Sequence, residues 1–151
     1  MDKHKYYELV EQLCKTLGIS NSYLGDGICL VRIDEITLIL AQGDGLDEDS
    51  LCIDCDFGVP IAEVKGLVLQ RVMEANLYTT RNDAPTFGFN ADTGHVYMMN
   101  RISLEETTLE SLIVVLGNIA AYVHKWRDNL FVTGSELAHL PANKFESTGV
   151  H

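Results

Sequence analysis

At residues 60–77 the chain reads PIAEVKGLVLQRVMEANL, and this stretch decides the fold. At about 100° per residue, its apolar side chains fall into two stripes along a predicted helix, Pro60–Leu77. The first stripe contains Ile61, Val64, Val68, Val72 and Ala75, and the second contains Ala62, Gly66, Leu69, Met73 and Leu77. A helix on the outside of a small domain needs only one apolar stripe. The second stripe therefore needs another partner, and a second copy of the chain is one candidate.

Length, composition and charge exclude several classes of protein. The 151 residues are typical of one domain, and 46% hydrophobic with 22% charged residues is an ordinary globular composition. The formal net charge of −11 disfavours nucleic-acid binding, which depends on Lys and Arg. No apolar run is long enough to span a membrane, and the N-terminus lacks a signal-peptide pattern. We therefore expect a cytoplasmic protein that binds neither nucleic acid nor membrane.

Periodic patterns on both sides of the central helix predict an α+β domain. An amphipathic helix over Lys3–Leu17 comes first, and Gly18 stands where a C′ glycine would end it. The predicted strands are Ile28–Asp34, Ile36–Gln42 and Ser50–Phe57, followed after the central helix by a hairpin of Thr86–Asn90 and His95–Ile102. Short connections favour antiparallel neighbours. The predicted order is α-β-β-β-α-β-β-α, an antiparallel twisted sheet with helices packed on one face.

A third helix, after the hairpin, is predicted to close the domain. Ser103 and Glu106 have the spacing of a capping box, and apolar periodicity continues from there to about Leu130. Beyond Phe131 the pattern fades. We therefore expect a single domain over residues 1–130 and a loosely held tail over residues 131–151.

One cysteine pair has the spacing of a redox or zinc site. Cys52 and Cys55 match C-x-x-C, but they lie in a predicted strand, where residues three apart point to opposite faces. No second ligand pair follows them. We interpret them, with Cys14 and Cys29, as structural, while a small thiol- or metal-dependent enzyme using Cys52 and Cys55 stays as an alternative.

The lack of a recognisable catalytic motif in the sequence indicates a non-enzymatic protein. The five histidines have no metal spacing, and the sequence contains no nucleophile elbow, phosphate-binding loop or zinc-protease motif. We therefore expect no catalytic residues, no cofactor and no metal. What remains is surplus apolar surface: Leu30 and Ile39 project to the second face of an antiparallel sheet, which is usually polar. Exposed patches of this kind mark interaction sites.

Three segments, together with the order of elements, resemble a known family. They are Leu13-Cys-Lys-Thr-Leu-Gly-Ile19, Val72-Met-Glu-Ala-Asn-Leu77 and the hairpin Phe87-Gly-Phe-Asn-Ala-Asp-Thr-Gly-His-Val-Tyr97. With Trp126 near the end of the last helix, they make the chain similar to the CesT-type class I type III secretion chaperones, the Tir chaperone-like family. The resemblance covers about Tyr6 to Leu130.

This resemblance implies a bacterial, cytoplasmic homodimer without cofactor. It would bind the N-terminal region of a secreted effector and keep it extended, soluble and export-competent. The implied dimer interface uses the second helix and the hairpin: Val68, Leu69, Val72, Met73, Leu77, Phe87 and Phe89. The implied effector-binding residues are Tyr6, Leu9, Leu30, Arg32, Ile39 and Cys52. The sequence leaves open which stripe of Pro60–Leu77 faces the second copy, and whether the chain contacts the secretion ATPase. A dimeric peptide-binding adaptor or regulatory module with the same fold also stays open.

Overall fold

A six-stranded antiparallel sheet covered on one face by helices forms the domain. The computed structural model describes residues 3–19, 23–24, 27–78 and 85–129. The helices are α1 (Lys3–Leu17), α2 (Lys65–Tyr78) and α3 (Leu109–Asn129). The strands are β1 (Tyr23–Leu24), β2 (Ile28–Ile33), β3 (Ile36–Gln42), β4 (Ser50–Gly58), β5 (Thr86–Phe89) and β6 (Val96–Ser103). The predicted α+β arrangement is confirmed, and the two-residue β1 is an addition to it.

The strand order places the hairpin that follows α2 at one end of the sheet. The order is β1-β2-β3-β4-β6-β5, and every neighbouring pair is antiparallel. After β4 the chain passes through α2 to the edge strand β5, and then turns back so that β6 pairs with β4. The turn between β5 and β6 is closed by the amide of Gly94, which donates to the Asn90 carbonyl oxygen at 2.7 Å. The predicted hairpin turn therefore forms, and it leaves β5 as an edge.

The core lies between the helices and one face of the sheet. In β4 every second side chain is buried, as strict alternation in a half-covered sheet requires. Tyr6 of α1 reaches over this sheet, and its hydroxyl lies 2.7 Å from the Gly27 carbonyl oxygen and 3.0 Å from that of Leu40. Fully buried aliphatic side chains of the core include Leu13, Val31, Ile36, Leu38, Leu40, Leu51, Ile53, Val68, Leu112, Leu116 and Val123.

The last helix begins later than the sequence predicted. Ser103 does accept a hydrogen bond from the Glu106 amide (3.3 Å), but this closes only a turn. A reciprocal cap follows, in which Thr108 and Ser111 each accept the other's amide through their hydroxyls (3.1 and 2.9 Å). Leu104 explains the shift, because its amide donates to the Asp49 carbonyl oxygen at 2.7 Å and it is fully buried. The predicted tail, residues 131–151, lies outside the described residues.

Candidate protein-binding surfaces

The structure decides which apolar stripe of the central helix faces the core. Val68 and Val72 expose 0% and 4% of their surface, and they pack into the core cluster. Met73 and Leu77, on the other stripe, expose 70% and 73%. Leu69 is half-buried between these extremes. We call Leu69, Met73 and Leu77 the α2 stripe, because they form the apolar surface of α2 that the other described residues leave at least partly uncovered.

The α2 stripe lines an open groove of about 890 Å³. Gly66 lies at one end of the groove, and this end is open, since a Cβ placed on Gly66 would meet no atom within 4 Å. Gln70 and Glu74 border the groove, and the Gln70 amide donates to a Glu74 carboxylate oxygen at 3.1 Å. An apolar floor with a polar rim is the arrangement found at protein–protein interfaces. The groove is therefore suited to a helix with its own apolar stripe.

Asn76 holds α2 against the edge strand β5. Its side-chain Nδ2 donates to the Phe87 carbonyl oxygen at 3.0 Å, and its Oδ1 accepts the Phe87 amide at 2.8 Å. The side-chain amide thus bonds the backbone groups that an edge strand would otherwise present to solvent. Phe89 lies beside the start of α2, because the Lys65 ammonium stands 5.4 Å from the centre of its ring. Phe89 is partly exposed, so it offers apolar surface close to the first residue of α2.

A second apolar surface lies on the side of the sheet away from the helices, which we call the outer face. Residues of four strands form a row across it, since the register pairs Leu30 with Ile39, Ile39 with Asp54, and Asp54 with Met99. Leu30 and Met99 expose 38% and 37% of their surface. Burial raises the pKa of the Asp54 carboxyl, and the charge of Arg101 lowers it by a smaller amount. The row therefore combines three apolar side chains with one partly desolvated carboxyl group.

Two residues of this row, Asp54 and Met99, were not among the predicted contact residues. The pattern that could have identified Met99 is the alternation within His95–Ile102, which places Tyr97, Met99 and Arg101 on one face of β6. In the sheet, β6 lies between β4 and β5. The alternation of side chains along one strand does not reveal which strands are its neighbours.

Five of the predicted contact residues are buried inside the chain, which corrects their assignment to a surface. Val68, Val72 and Phe87 lie in the core, as do Tyr6 and Leu9. Buried side chains offer no apolar area to a partner. Through their packing in the core, these five residues hold in place the elements that carry the α2 stripe and the outer face. The other predicted residues lie at least partly at the surface: Leu69, Met73, Leu77 and Phe89 for the interface, and Leu30, Arg32, Ile39 and Cys52 on the outer face.

The cysteine pair does not form a common site. Cys55 is fully buried on the inner face of β4, whereas Cys52 lies on the outer face beside Arg101. Burial raises the pKa of the Cys55 thiol to about 12, so this group stays a neutral thiol at neutral pH. Burial, and then the neighbouring Cys29, raise the pKa of Cys14 to about 11. The opposite orientation of Cys52 and Cys55 prevents them from binding one metal ion or forming a disulfide with each other.

The described ranges contain neither a metal-binding cluster nor a membrane-spanning helix. Within residues 3–19, 23–24, 27–78 and 85–129, no three His, Cys, Asp or Glu side chains come close enough together to hold a metal ion. None of the helices in these ranges has the length and hydrophobicity to cross a membrane.

The arrangement of sheet and helices matches several solved structures of protein complexes. A chain of the ExsC–ExsE complex matches with a TM-score of 0.73 and 23% identity, over 89% of this chain and 100% of that one. A chain of the HopA1–SchA chaperone–effector complex matches with a TM-score of 0.66 and 18% identity, over 85% and 98%. The Yersinia pestis type III secretion chaperone SycH, in complex with a stable fragment of YscM2, gives a TM-score of 0.61 and 19% identity, over 80% and 98%. At these identities the likeness establishes the fold. Comparison with curated proteins gives no match.

A family model gives the relationship in sequence. It matches residues 8–127, from the second turn of α1 to the last turn of α3, and so contains both apolar surfaces. The match covers well over half of the 151 residues. The chain therefore belongs to the Tir chaperone protein (CesT) family, a family of chaperones.

Proposed function

We propose that this chain is a homodimeric type III secretion chaperone of the bacterial cytoplasm. It binds the N-terminal region of a secreted effector and keeps that region extended, soluble and export-competent. The observation that carries the proposal is the pair of separate apolar surfaces, the α2 stripe for a second copy and the outer face for a client. The complexes of similar fold support it, since one is described as a chaperone–effector complex and another as a secretion chaperone with a bound fragment.

The α2 stripe suits contact between two identical chains. In a two-fold symmetric dimer the same patch meets its own copy, so Met73 and Leu77 of one chain cover the equivalent side chains of the other. At about 25 cal/mol per Å² of apolar surface removed from water, covering these largely exposed side chains contributes several kcal/mol. This contribution has to exceed the entropy cost of association. Phe89 enlarges the interface on the side of β5.

The outer face suits an extended client segment. Leu30, Ile39 and Met99 form an apolar row across neighbouring strands, and an extended peptide can place alternate side chains on such a row. Arg32 and Cys52 lie on the same face and add polar contacts. Binding of this kind uses buried area and hydrogen bonds only. The proposed function therefore requires no catalysis and no cofactor.

Co-expression with the product of an adjacent gene, taken as the candidate effector, tests the proposal. We expect a soluble complex of two chaperone chains with one effector N-terminal segment, measured by sedimentation. The double substitution Leu30→Glu and Ile39→Glu should release the effector while the dimer persists. The control Val114→Glu places one such carboxylate on an exposed apolar residue of α3 and should retain the effector, whereas Leu30→Glu alone should already weaken its binding. A monomeric chain that retains no effector contradicts the proposal.

A dimeric adaptor or regulatory module is the second candidate, because the same two surfaces would serve it equally well. Secretion of the bound polypeptide separates the two functions. Deleting this gene should reduce the secreted amount of an effector client, whereas an adaptor's partner stays inside the cell in both strains.

A further inference from the structure

A single carboxylate interrupts the apolar row of the outer face. Asp54 lies in the middle of β4, with Ile39 opposite it on β3 and Met99 opposite it on β6. Leu30 extends the row beyond Ile39. The Asp54 side chain is half-buried among these neighbours, and this burial raises the pKa of its carboxyl. Because Asp54 lies between Ile39 and Met99, a polypeptide segment that covers both apolar side chains must cover Asp54 as well.

Two charged groups near Asp54 on this face, Arg101 and Asp56, are engaged with other residues. Arg101, the cation that acts on Asp54, places its guanidinium 2.8 Å from a carboxylate oxygen of Asp47. Asp56, two residues along β4, bonds His95 at 2.8 Å and accepts the Gly58 amide at 2.7 Å. Among the described residues, Asp54 itself has neither a salt bridge nor a hydrogen bond, so its charge is available to a ligand.

We propose that Asp54 selects client segments that carry a lysine or arginine between two apolar side chains. The inference rests on the proposed function and adds a determinant of specificity to it. A purely apolar segment would cover Asp54 and leave a desolvated, unpaired carboxylate, which is costly. A basic side chain at that point pairs with the carboxylate, while its apolar neighbours cover Ile39 and Met99.

The overall charge of the chain supports a basic occupant. With a net charge of −11, the protein attracts cationic segments over distances longer than the contact itself. The same field disfavours a second copy of this chain on the outer face, because two copies repel each other unless a large apolar interface compensates. The unpaired carboxylate thus discriminates by penalising the wrong occupant as well as by attracting the right one.

Three synthetic peptides of equal length test the proposal on the full-length protein. Each alternates leucine with threonine, and the central residue is lysine, glutamine or glutamate. We expect the lysine peptide to bind about fivefold more tightly than the glutamine peptide, the scale of one partly exposed ion pair, and the glutamate peptide to bind most weakly. Fluorescence anisotropy measures the affinities, and amide chemical shifts should locate the peptide at Leu30, Ile39 and Met99.

Two variants assign the preference to Asp54. Asp54→Asn keeps the shape of the side chain, removes its charge and should make the lysine and glutamine peptides bind equally. Asp44→Asn is the matched control, since it removes the same charge from an exposed residue of the β3–β4 loop and should preserve the fivefold preference.

Several outcomes overturn the inference. Equal binding of the three peptides, binding of none of them, or a lysine preference that survives Asp54→Asn each contradicts it. So do peptide-induced shifts confined to α1 or α2. Shifts of the outer-face amides that depend on protein concentration, without peptide, identify a second copy as the occupant and also overturn it. The co-expression experiment decides the proposed function independently, because effector retention does not require this charge preference.

Discussion

The two apolar stripes of α2 have similar composition and opposite surroundings. Val68 and Val72 are buried in the core, whereas Met73 and Leu77 on the adjacent side of the same helix are mostly exposed. Helical periodicity detects both stripes equally well. The difference shows that an apolar pattern indicates the need for a partner, but the partner's identity depends on what the rest of the chain places beside each stripe.

The largest expected effect comes from a charge on the buried stripe. Val68→Asp places a carboxylate in the core without a partner and should cost more than about 3 kcal/mol of the free energy of unfolding, a large part of a small domain's stability. Urea denaturation followed by circular dichroism measures it. The control Val114→Asp, at an exposed position, should change the unfolding free energy little. A folded Val68→Asp variant that only dissociates would reverse our assignment of the stripes.

A charge on the exposed stripe should act on association instead of folding. Met73→Glu introduces two carboxylates into a two-fold symmetric interface and should weaken dimerisation by roughly 100-fold, about 2.8 kcal/mol. The free energy of unfolding of the monomer should stay within about 0.5 kcal/mol of the original, as expected for a surface substitution. Sedimentation equilibrium and urea denaturation separate these two quantities. Unaltered dimerisation would mean that another surface holds the two copies together.

A smaller loss of stability is expected from the residue that joins α2 to the sheet edge. Asn76→Ala removes two hydrogen bonds to Phe87 and should lower the free energy of unfolding by about 1–2 kcal/mol. Hydrogen exchange of the Phe87 amide should become faster, because this amide loses its acceptor. Gln70→Ala, on the exposed side of the same helix, serves as the control with little expected change. Unchanged exchange at Phe87 would show that β5 holds its edge without Asn76.

The smallest expected effect is on cysteine labelling at the two faces of β4. As in α2, one side is buried and the other is partly exposed, with Cys55 on the buried face and Cys52 on the outer face. The alkylating reagent iodoacetamide at pH 8 should modify Cys52 before Cys55 and leave the stability nearly unchanged. Burial raises the pKa of Cys55 to about 12, so its nucleophilic thiolate stays scarce while the protein is folded. Mass spectrometry after digestion locates the modification. Equal labelling of both cysteines in the folded protein would contradict their placement on opposite faces.

Much of the fold followed from local patterns. The amphipathic pattern of Lys3–Leu17 predicted α1, and the pattern of Ser50–Phe57 predicted all but the last residue of β4. Such patterns are dependable because one side chain in two, or one stripe in a helix, must face the core. The start of α3 was predicted too early, since Ser103 has the sequence of a cap but Leu104 is drawn into the core.

The candidate sites were less predictable because they depend on contacts between distant segments. Tyr6 and Leu9 were expected to meet an effector, yet both are buried in the core of the chain. Met99 was not identified, because its place beside Asp54 depends on β6 pairing with β4 across an intervening helix and hairpin. Asn76 stood out in the sequence only as part of a resemblance. Its two bonds to Phe87 require α2 to lie along the edge of the sheet.

The sequence by itself determined that this chain forms an α+β domain, that its central helix has two apolar stripes, and that its second sheet face is partly apolar. These properties are periodic, and periodicity is local. The tertiary structure alone decided that Val68 is buried and Met73 is exposed, and that Asp54 stands between Ile39 and Met99. Those outcomes depend on which distant elements pack together, because a side chain is buried by contacts with residues that are far from it in the sequence.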